Sequence, residues 1–194
     1  MTTRSFIRAA MIAGATVAMA GAAHADVFMK VASTPGDASA KGFEEQISLI
    51  GATLNIMSTL DYGPDGLADP PSRMPQVSPI TFNKAPDRSS PKLMLAAIQG
   101  NEIGTVEVTF TTPSRAGQQI DARWILEGAK INSYYSYPGA TAAETPTETV
   151  EVTYTSMRYQ YYVKDAKGVR TGAMEEVTWV TPETPNYGVN DGCG

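Results

Sequence analysis

Residues 78–111 contain the only stretch of this sequence with a clear helical repeat, and strand-like sequence flanks it on both sides. Ser90 is the predicted N-cap, Pro91 suits the first helical position, and Gly100 suits the left-handed residue that ends a helix. Four apolar residues share one face at about 100° per residue: Leu93, Met94, Ala97 and Ile98. A helix of about ten residues is marginal alone, so this stripe is predicted to be core, packed against a sheet.

The remainder of the sequence alternates between apolar and polar residues with the period of β-strands. The alternation changes phase at Leu49–Ile50, beside Gly51, and again at Thr155–Ser156, where one extra residue in the strand is expected. Such bulges bend strands across the corners of a barrel. The sequence therefore predicts a mainly β fold, an antiparallel β-barrel of two tightly packed sheets, with about seven to nine strands and a single short α-helix. An immunoglobulin-like sandwich needs no central helix, and no Cys–Trp–Cys spacing supports it.

Residues 1–25 have the pattern of an export signal. Arg4 and Arg8 form a positive start, an uncharged small-to-apolar run follows, and the Ala-His-Ala at 23–25 is a cleavage site. The apolar run of about fifteen residues is shorter than the ~20 that a spanning helix needs. We therefore expect a signal peptide at 1–25, one β-barrel domain at 26–181 and a flexible tail at 182–194. Cleavage would place the mature protein in the periplasm or outside the cell.

The mature chain would have little chemistry available for catalysis. Removing Arg4 and Arg8 leaves 13 basic against 20 acidic residues, and removing His24 leaves no histidine. Cys193, in the tail, is the one cysteine, so a histidine-based triad, a histidine-ligated metal and an internal disulfide are excluded. Neighbouring carboxylates, such as Glu175 and Glu176, point to opposite faces of a strand. We expect no catalytic residues, no cofactor or metal, no membrane span, and no nucleic acid partner for so acidic a chain.

The segment from Asp61 to Pro79 is the longest predicted loop and is rich in proline, glycine and aspartate. Loops of this length are usually functional or mobile. Asp61, Asp65 and Asp69 recur every four residues, which raises calcium as one interpretation, although the spacing does not match an EF-hand. The simpler interpretation is a solvated connection rich in turns.

Taken together, these motifs resemble the Hcp family, the ring-forming tube protein of bacterial type VI secretion. That family carries an aspartate, a basic residue, Ser/Thr-Ser/Thr-Pro and then a Leu-Met-rich helix that ends in glycine. The matching residues here are Asp87, Arg88, Ser89, Ser90, Pro91, Leu93, Met94, Ala96 and Gly100. The opening strand at 26–31, the phase change within 148–163 and a last hairpin with Trp179 are similar too, so the resemblance covers nearly all of residues 26–181.

The resemblance implies a structural protein, a homohexameric ring that stacks into a hollow conduit carrying or chaperoning effector proteins. It also implies that the loop at 61–79 helps one ring contact the next. The candidate contact residues in that loop are Tyr62, Pro64, Asp65, Leu67, Arg73 and Met74. Thr53 matches, within one residue, a family strand position that is flanked by aromatic residues, and it is the lumen candidate although that aromatic pair is absent here.

The alternative function is an exported β-barrel module that binds a glycan or an envelope surface and forms no tube. Type VI tubes polymerise in the cytosol, whereas an export signal places a protein beyond it. Two interpretations follow: this chain is a divergent relative used outside the cell, or residues 1–25 are not a cleaved signal.

Overall fold

The computed structural model describes residues 25–57, 76–114, 117–139, 141 and 144–181, which form ten strands and one helix. The first half comprises β1 (Asp26–Val31), β2 (Ile47–Thr53), β3 (Ile56–Met57), β4 (Gln76–Val77), β5 (Ile80–Lys84) and α1 (Ser90–Gln99). The second half comprises β6 (Glu102–Ser114), β7 (Gly117–Tyr137), β8 (Thr147–Thr153), β9 (Ser156–Lys164) and β10 (Arg170–Val180). The predictions for the signal peptide, for the tail and for the loop residues from Tyr62 to Met74 lie outside the described residues.

Six strands close into an antiparallel barrel in the order β7-β6-β1-β2-β5-β8, and the pairing of β8 with β7 completes the ring. Strand β7 is 21 residues long and belongs to both the barrel and the sheet extension that follows it. Residues 130–137 pair with β8 inside the barrel, and residues 122–127 pair with β9. The β9–β10 hairpin therefore extends the sheet beyond the barrel wall. This architecture confirms the predicted antiparallel β-barrel with one short helix.

The strand bend at Thr155 is confirmed, but its mechanism differs from the predicted extra residue. Glu127 pairs with Ser156 and Lys130 pairs with Thr153, so the register against β7 is the same on both sides of the bend. Both strands instead turn together. Gly128 on β7 has φ +58°, and a Cβ there would lie 2.6 Å from the Thr155 Oγ1. The Thr155 backbone N–H and hydroxyl both donate to the Glu127 carbonyl, at 2.9 and 3.0 Å.

The bend in β2 follows the prediction. The pairing with β5 shifts register between Leu49 and Gly51, which leaves Ile50 as the extra residue. Ile50 points outward and is exposed, whereas Leu49 is buried and Ala52 packs against the core. One inserted residue therefore changes which phase of the strand faces inward, as a β-bulge must.

Helix α1 packs on β7, and its buried face differs from the predicted one. Leu93 is buried, and Ala96 and Ala97 pack against the core at the i+3 and i+4 positions. Met94 and Ile98, predicted as core, are 47% and 74% exposed. The reason is geometric: at about 100° per residue the facing arc centres on Leu93, and Met94 and Ile98 rotate off it. The small Ala96 and Ala97 let the helix approach the strand closely.

The start of α1 differs from the prediction by one residue, and its end agrees with it. The N-cap is Ser89, one residue before the predicted Ser90, and it makes no side-chain capping bond. The predicted C-terminal glycine is confirmed, because Gly100 is left-handed at φ 65° and its N–H donates to the Ala96 carbonyl at 2.9 Å. The loop predicted at 61–79 ends earlier than expected. Gln76 and Val77 form β4, in which Gln76 pairs with Met57 and Val77 pairs with Ile56.

Candidate assembly surface

A buried polar network around Lys84 is the densest group of titratable side chains among the described residues. The Lys84 ammonium is fully buried at the end of β5 and contacts two carboxylates, Glu148 Oε2 at 2.7 Å and Asp87 Oδ1 at 2.9 Å. It also donates to the Ser90 Oγ at 2.9 Å. Ser90 in turn donates to Glu148 at 2.7 Å and accepts from the Asp87 backbone N–H at 3.0 Å.

The electrostatics of this network favour its charged form. Burial alone would raise the pKa of Glu148, but hydrogen bonds from Lys84, Ser90 and Tyr134 outweigh it and hold that pKa below its usual value. Burial would also raise the pKa of Asp87, but hydrogen bonds from Ser89 and Lys84 outweigh it and lower that pKa. Burial, with Glu148 close by, raises the pKa of Tyr134. The two carboxylates therefore stay ionised at neutral pH, which a buried ammonium requires.

The arrangement suits a structural clamp better than a catalytic dyad. A lysine beside a serine can activate a nucleophile, but the Ser90 proton already points to Glu148 and Lys84 is held between two carboxylates. Arg88 extends the clamp, because its Nε donates to the Gly36 carbonyl at 2.6 Å and its guanidinium pairs with Asp37 and Glu45. The Asp-Arg-Ser-Ser-Pro motif thus fastens the start of α1 to the barrel and to the loop after β1.

Lys84 and Glu148 were not singled out from the sequence, although one signal was available. Glu148 continues the inward phase of Val150 and Val152, where a carboxylate requires a buried partner. Among the described residues, no group of three or more His, Cys, Asp or Glu could hold a metal ion. No helix in the described part of the chain is long and apolar enough to cross a membrane.

The β9–β10 hairpin ends the sheet with a long exposed strand, β10. Almost every residue of β10 is exposed, and no strand in the described part of the chain pairs with its outer edge. Large apolar side chains are exposed along the hairpin and its turn: Tyr159, Tyr161, Val169, Met174, Val177 and Val180. An exposed apolar edge strand offers unpaired backbone N–H and C=O groups with which a strand of another chain can pair.

An apolar groove of about 230 Å³ runs beneath this hairpin. Its lining, referred to below as the apolar groove, consists of Leu54, Ile56, Val77, Tyr154, Met157, Tyr159, Val177 and Trp179. Two enclosed polar atoms among these residues, the Tyr154 Oη and the Trp179 Nε1, have no hydrogen-bond partner within the part of the chain that the structure describes. Val177 and Ile56 are exposed at the rim of the groove, whereas Tyr154 and Met157 are buried.

The outer side of α1 carries a second apolar surface, which we call the apolar ridge. It consists of Met94, Leu95 and Ile98, which are 47%, 51% and 74% exposed. The three side chains are neighbours on one side of the helix, so they form one contiguous apolar patch rather than separate exposed residues. The ridge borders an open depression lined on its β7 side by Asn132, Ser133, Tyr134 and Ser136.

Thr53, the lumen candidate, is exposed at the end of β2 opposite Thr81. The structure therefore places it on the outer surface of the barrel, at the end of the strand that leads into the apolar groove. The apolar groove and ridge were not predicted as sites, because the groove assembles from segments far apart in the sequence and the sequence predicts Met94 and Ile98 of the ridge as core.

The comparisons with known proteins agree with this architecture. Residues 28–161 match the family described as type VI secretion system effector, Hcp. Among solved structures, a type six secretion system protein shares 21% identity over 80% of this chain and 94% of its own, with a TM-score of 0.72. Hcp1 from Salmonella typhimurium shares 15% over 80% and 94%, with a TM-score of 0.63.

The secreted protein Hcp3 from Pseudomonas aeruginosa shares 19% identity over 82% of this chain and all of its own, with a TM-score of 0.54. A search of curated proteins found no match. At these identities the structural likeness shows a common fold, and the family match over 28–161 covers well over half of the chain. The chain therefore belongs to the Hcp family of type VI secretion system effectors.

Proposed function

We propose that this chain is a structural subunit that assembles head to tail into a ring, a homohexamer by likeness to its family, rather than an enzyme. The observation that carries the proposal is the exposed β9–β10 hairpin, whose outer edge has no partner strand among the described residues. A monomer would leave its apolar side chains and its backbone donors and acceptors open to aggregation. A neighbouring copy that covers the hairpin removes that cost.

Stacked rings would form a hollow conduit that carries or chaperones effector proteins. The loop predicted at 61–79 supports this part of the proposal through its family likeness. The pairing of Met57 with Gln76 also holds together the two ends of the segment between β3 and β4. Proline-rich loops lose less entropy on binding than flexible ones, so the loop suits a ring-to-ring contact. The candidate residues from Tyr62 to Met74 would make that contact.

We also propose that residues 1–25 are removed on export, which places the assembled protein in the periplasm or outside the cell. Mass spectrometry of the N terminus of the native protein tests this directly. A mature start at Asp26 supports export, whereas a start at Met1 or Thr2 assigns the protein to the compartment in which it is made.

The ring proposal is tested on residues 26–194 by light scattering and negative-stain electron microscopy across a range of concentrations. We expect a species of about six protomer masses and ring-shaped particles. Tyr161→Lys, on the exposed hairpin, should reduce that mass, and Ile50→Lys, an equally drastic change on the barrel wall, is the matched control and should not. A monomer at all concentrations would overturn the ring and favour the binding module.

A further inference from the structure

The apolar ridge and the apolar groove lie at opposite ends of the barrel strand pair β5–β8. At one end Lys84 pairs with Glu148, and the helix that bears the ridge is tied to Glu148 through Ser90. At the other end Ile80 pairs with Val152, close in sequence to the groove residues Val77 and Tyr154. The ladder between them has five residue pairs, so its two ends lie roughly 13 Å apart at ~3.3 Å per residue. The ridge, which borders β7 residues 132–136, and the groove therefore belong to different ends of the ladder within one copy.

One contact between two copies would cover both surfaces. A heterologous, head-to-tail interface joins two different patches of the same chain, and repeated around a closed ring it leaves neither patch free. The ridge is convex and lies on a helix, and the groove is concave and apolar, which is the arrangement of helix-in-groove recognition. The groove is also bounded by Val177 of the hairpin that we place at the subunit boundary, so the two contacts are continuous.

The sizes of the two surfaces agree. A cavity of about 150 Å³ holds one benzene-sized group, so a groove of about 230 Å³ takes a large aliphatic side chain and part of a second. The ridge presents two such side chains one turn apart, Met94 and Ile98, with Leu95 beside them. Methionine adapts well to an irregular apolar space.

The polar groups also complement one another. The groove holds two hydrogen-bond donors that no described residue accepts from, the Tyr154 hydroxyl and the Trp179 indole N–H. The ridge lies on the last two turns of α1. The last carbonyls of a helix accept no hydrogen bond from within it, and of these only the Ala96 carbonyl is capped within the described part of the chain, by the Gly100 N–H. The helix end that carries the ridge therefore offers acceptors, and the groove offers donors.

We propose that the apolar ridge of one copy packs into the apolar groove of the next copy, and that this contact closes the ring. The inference rests on the proposed ring assembly and adds the two surfaces that meet in it. It assigns Met94 and Ile98 to the subunit interface, which accounts for their exposure in the single chain.

Disulfide trapping tests the contact on residues 26–194 with Cys193→Ser as background. The double variant Ile98→Cys with Val177→Cys is oxidised and run on a non-reducing gel, and Met94→Cys with Val177→Cys and Ile98→Cys with Ile56→Cys sample neighbouring geometry. A disulfide needs Cα atoms within about 7 Å, and the ends of the ladder that bear the two surfaces lie roughly 13 Å apart, so we expect each bond to join two copies. We expect a ladder of covalent oligomers that ends at the mass of the ring.

Three results would overturn the contact. Dimers from Ile98→Cys or Val177→Cys alone would show a self-complementary interface, a ladder that continues past the ring mass would show a stacking contact, and a ladder from Ile50→Cys with Val177→Cys would show non-specific trapping. Light scattering of the reduced variants separates this inference from the proposed function. Rings without any cross-link remove the ridge-in-groove contact and leave the ring, whereas a monomeric wild type removes both.

Discussion

Lys84 and Glu148 face each other across the β5–β8 ladder, and the Lys84 Nζ donates a 2.7 Å hydrogen bond to the Glu148 Oε2 with both side chains buried. Replacing Lys84 by methionine leaves the buried Glu148 and the partly buried Asp87 without their counter-ion. Breaking a buried pair in this way costs about 3–5 kcal/mol in the free energy of unfolding. Urea denaturation of Lys84→Met measures it.

The double variant Lys84→Met with Glu148→Leu is the matched control for that change. Removing both partners leaves fewer uncompensated charges, so the double variant should recover much of the lost stability. A single variant within about 1 kcal/mol of the parent would show that the network contributes little.

The same network predicts a loss of stability in acid. The pKa values of Glu148 and Asp87 are lowered in the folded state from 4.5 and 3.8. A lowered pKa means that the unfolded chain binds protons first, so the stabilisation is fully present above about pH 4.5 and declines as the pH falls through the folded values. Free energies of unfolding between pH 7 and pH 3 should show this slope. Glu148→Gln should flatten it, and identical slopes would contradict the assignment.

Gly128 is predicted to be intolerant of any side chain. A Cβ added there would meet the Thr155 Oγ1 at 2.6 Å and its Cγ2 at 2.9 Å, and φ is +58°. Strained backbone of this kind costs about 1–3 kcal/mol before the clash is counted. Gly168→Ala is the matched control, because Gly168 has φ +77° and open space around it. Thermal melts of the two variants should differ, and equal melting temperatures would show that Thr155 moves aside freely.

Substitutions on the buried and exposed faces of α1 are predicted to differ sharply in their effect on the free energy of unfolding. Leu93→Ala should cost about 2–5 kcal/mol, as for other buried large-to-small changes, since Leu93 is the buried residue of α1. Ile98→Ala should change the unfolding of the single chain by less than about 0.5 kcal/mol, because its side chain is exposed. Denaturation at a concentration where light scattering shows the monomer separates folding from assembly.

Replacing residues 63–75 with a short Gly/Ser linker should leave the barrel folded and the rings intact, and should abolish stacked tubes. Gln76 is kept because it pairs with Met57 in the β3–β4 ladder. Electron microscopy and a thermal melt of the same variant measure both effects. Tubes that persist would assign the loop no role in stacking, and a collapsed melt would mean that the loop covers core.

The features predicted well from the sequence are those with a local cause. Gly100 ends the helix because few other residues adopt its left-handed conformation, and Ile50 marks the bulge because alternation in β2 changes phase around it. The fold class followed from such patterns and from the family resemblance.

The features missed depend on contacts between distant parts of the chain. The bend at Thr155 needs Gly128 on another strand, and a phase change in one strand cannot reveal a partner that turns with it. Met94 and Ile98 were predicted as core because they share a stripe with Leu93 and Ala97 at helical spacing, whereas the face of α1 that packs on the core holds Leu93, Ala96 and Ala97. The apolar groove joins segments far apart in the sequence, so no local pattern identifies it.

The double role of β7 has a mechanical consequence. Because one continuous strand belongs to both the barrel and the β9–β10 extension, a pull on the hairpin along the strand direction acts on the β7–β9 and β9–β10 ladders in shear. In shear many backbone hydrogen bonds share the force at once, whereas in peeling they break one after another. A subunit held by its hairpin would therefore resist tension along its strands far better than tension across them.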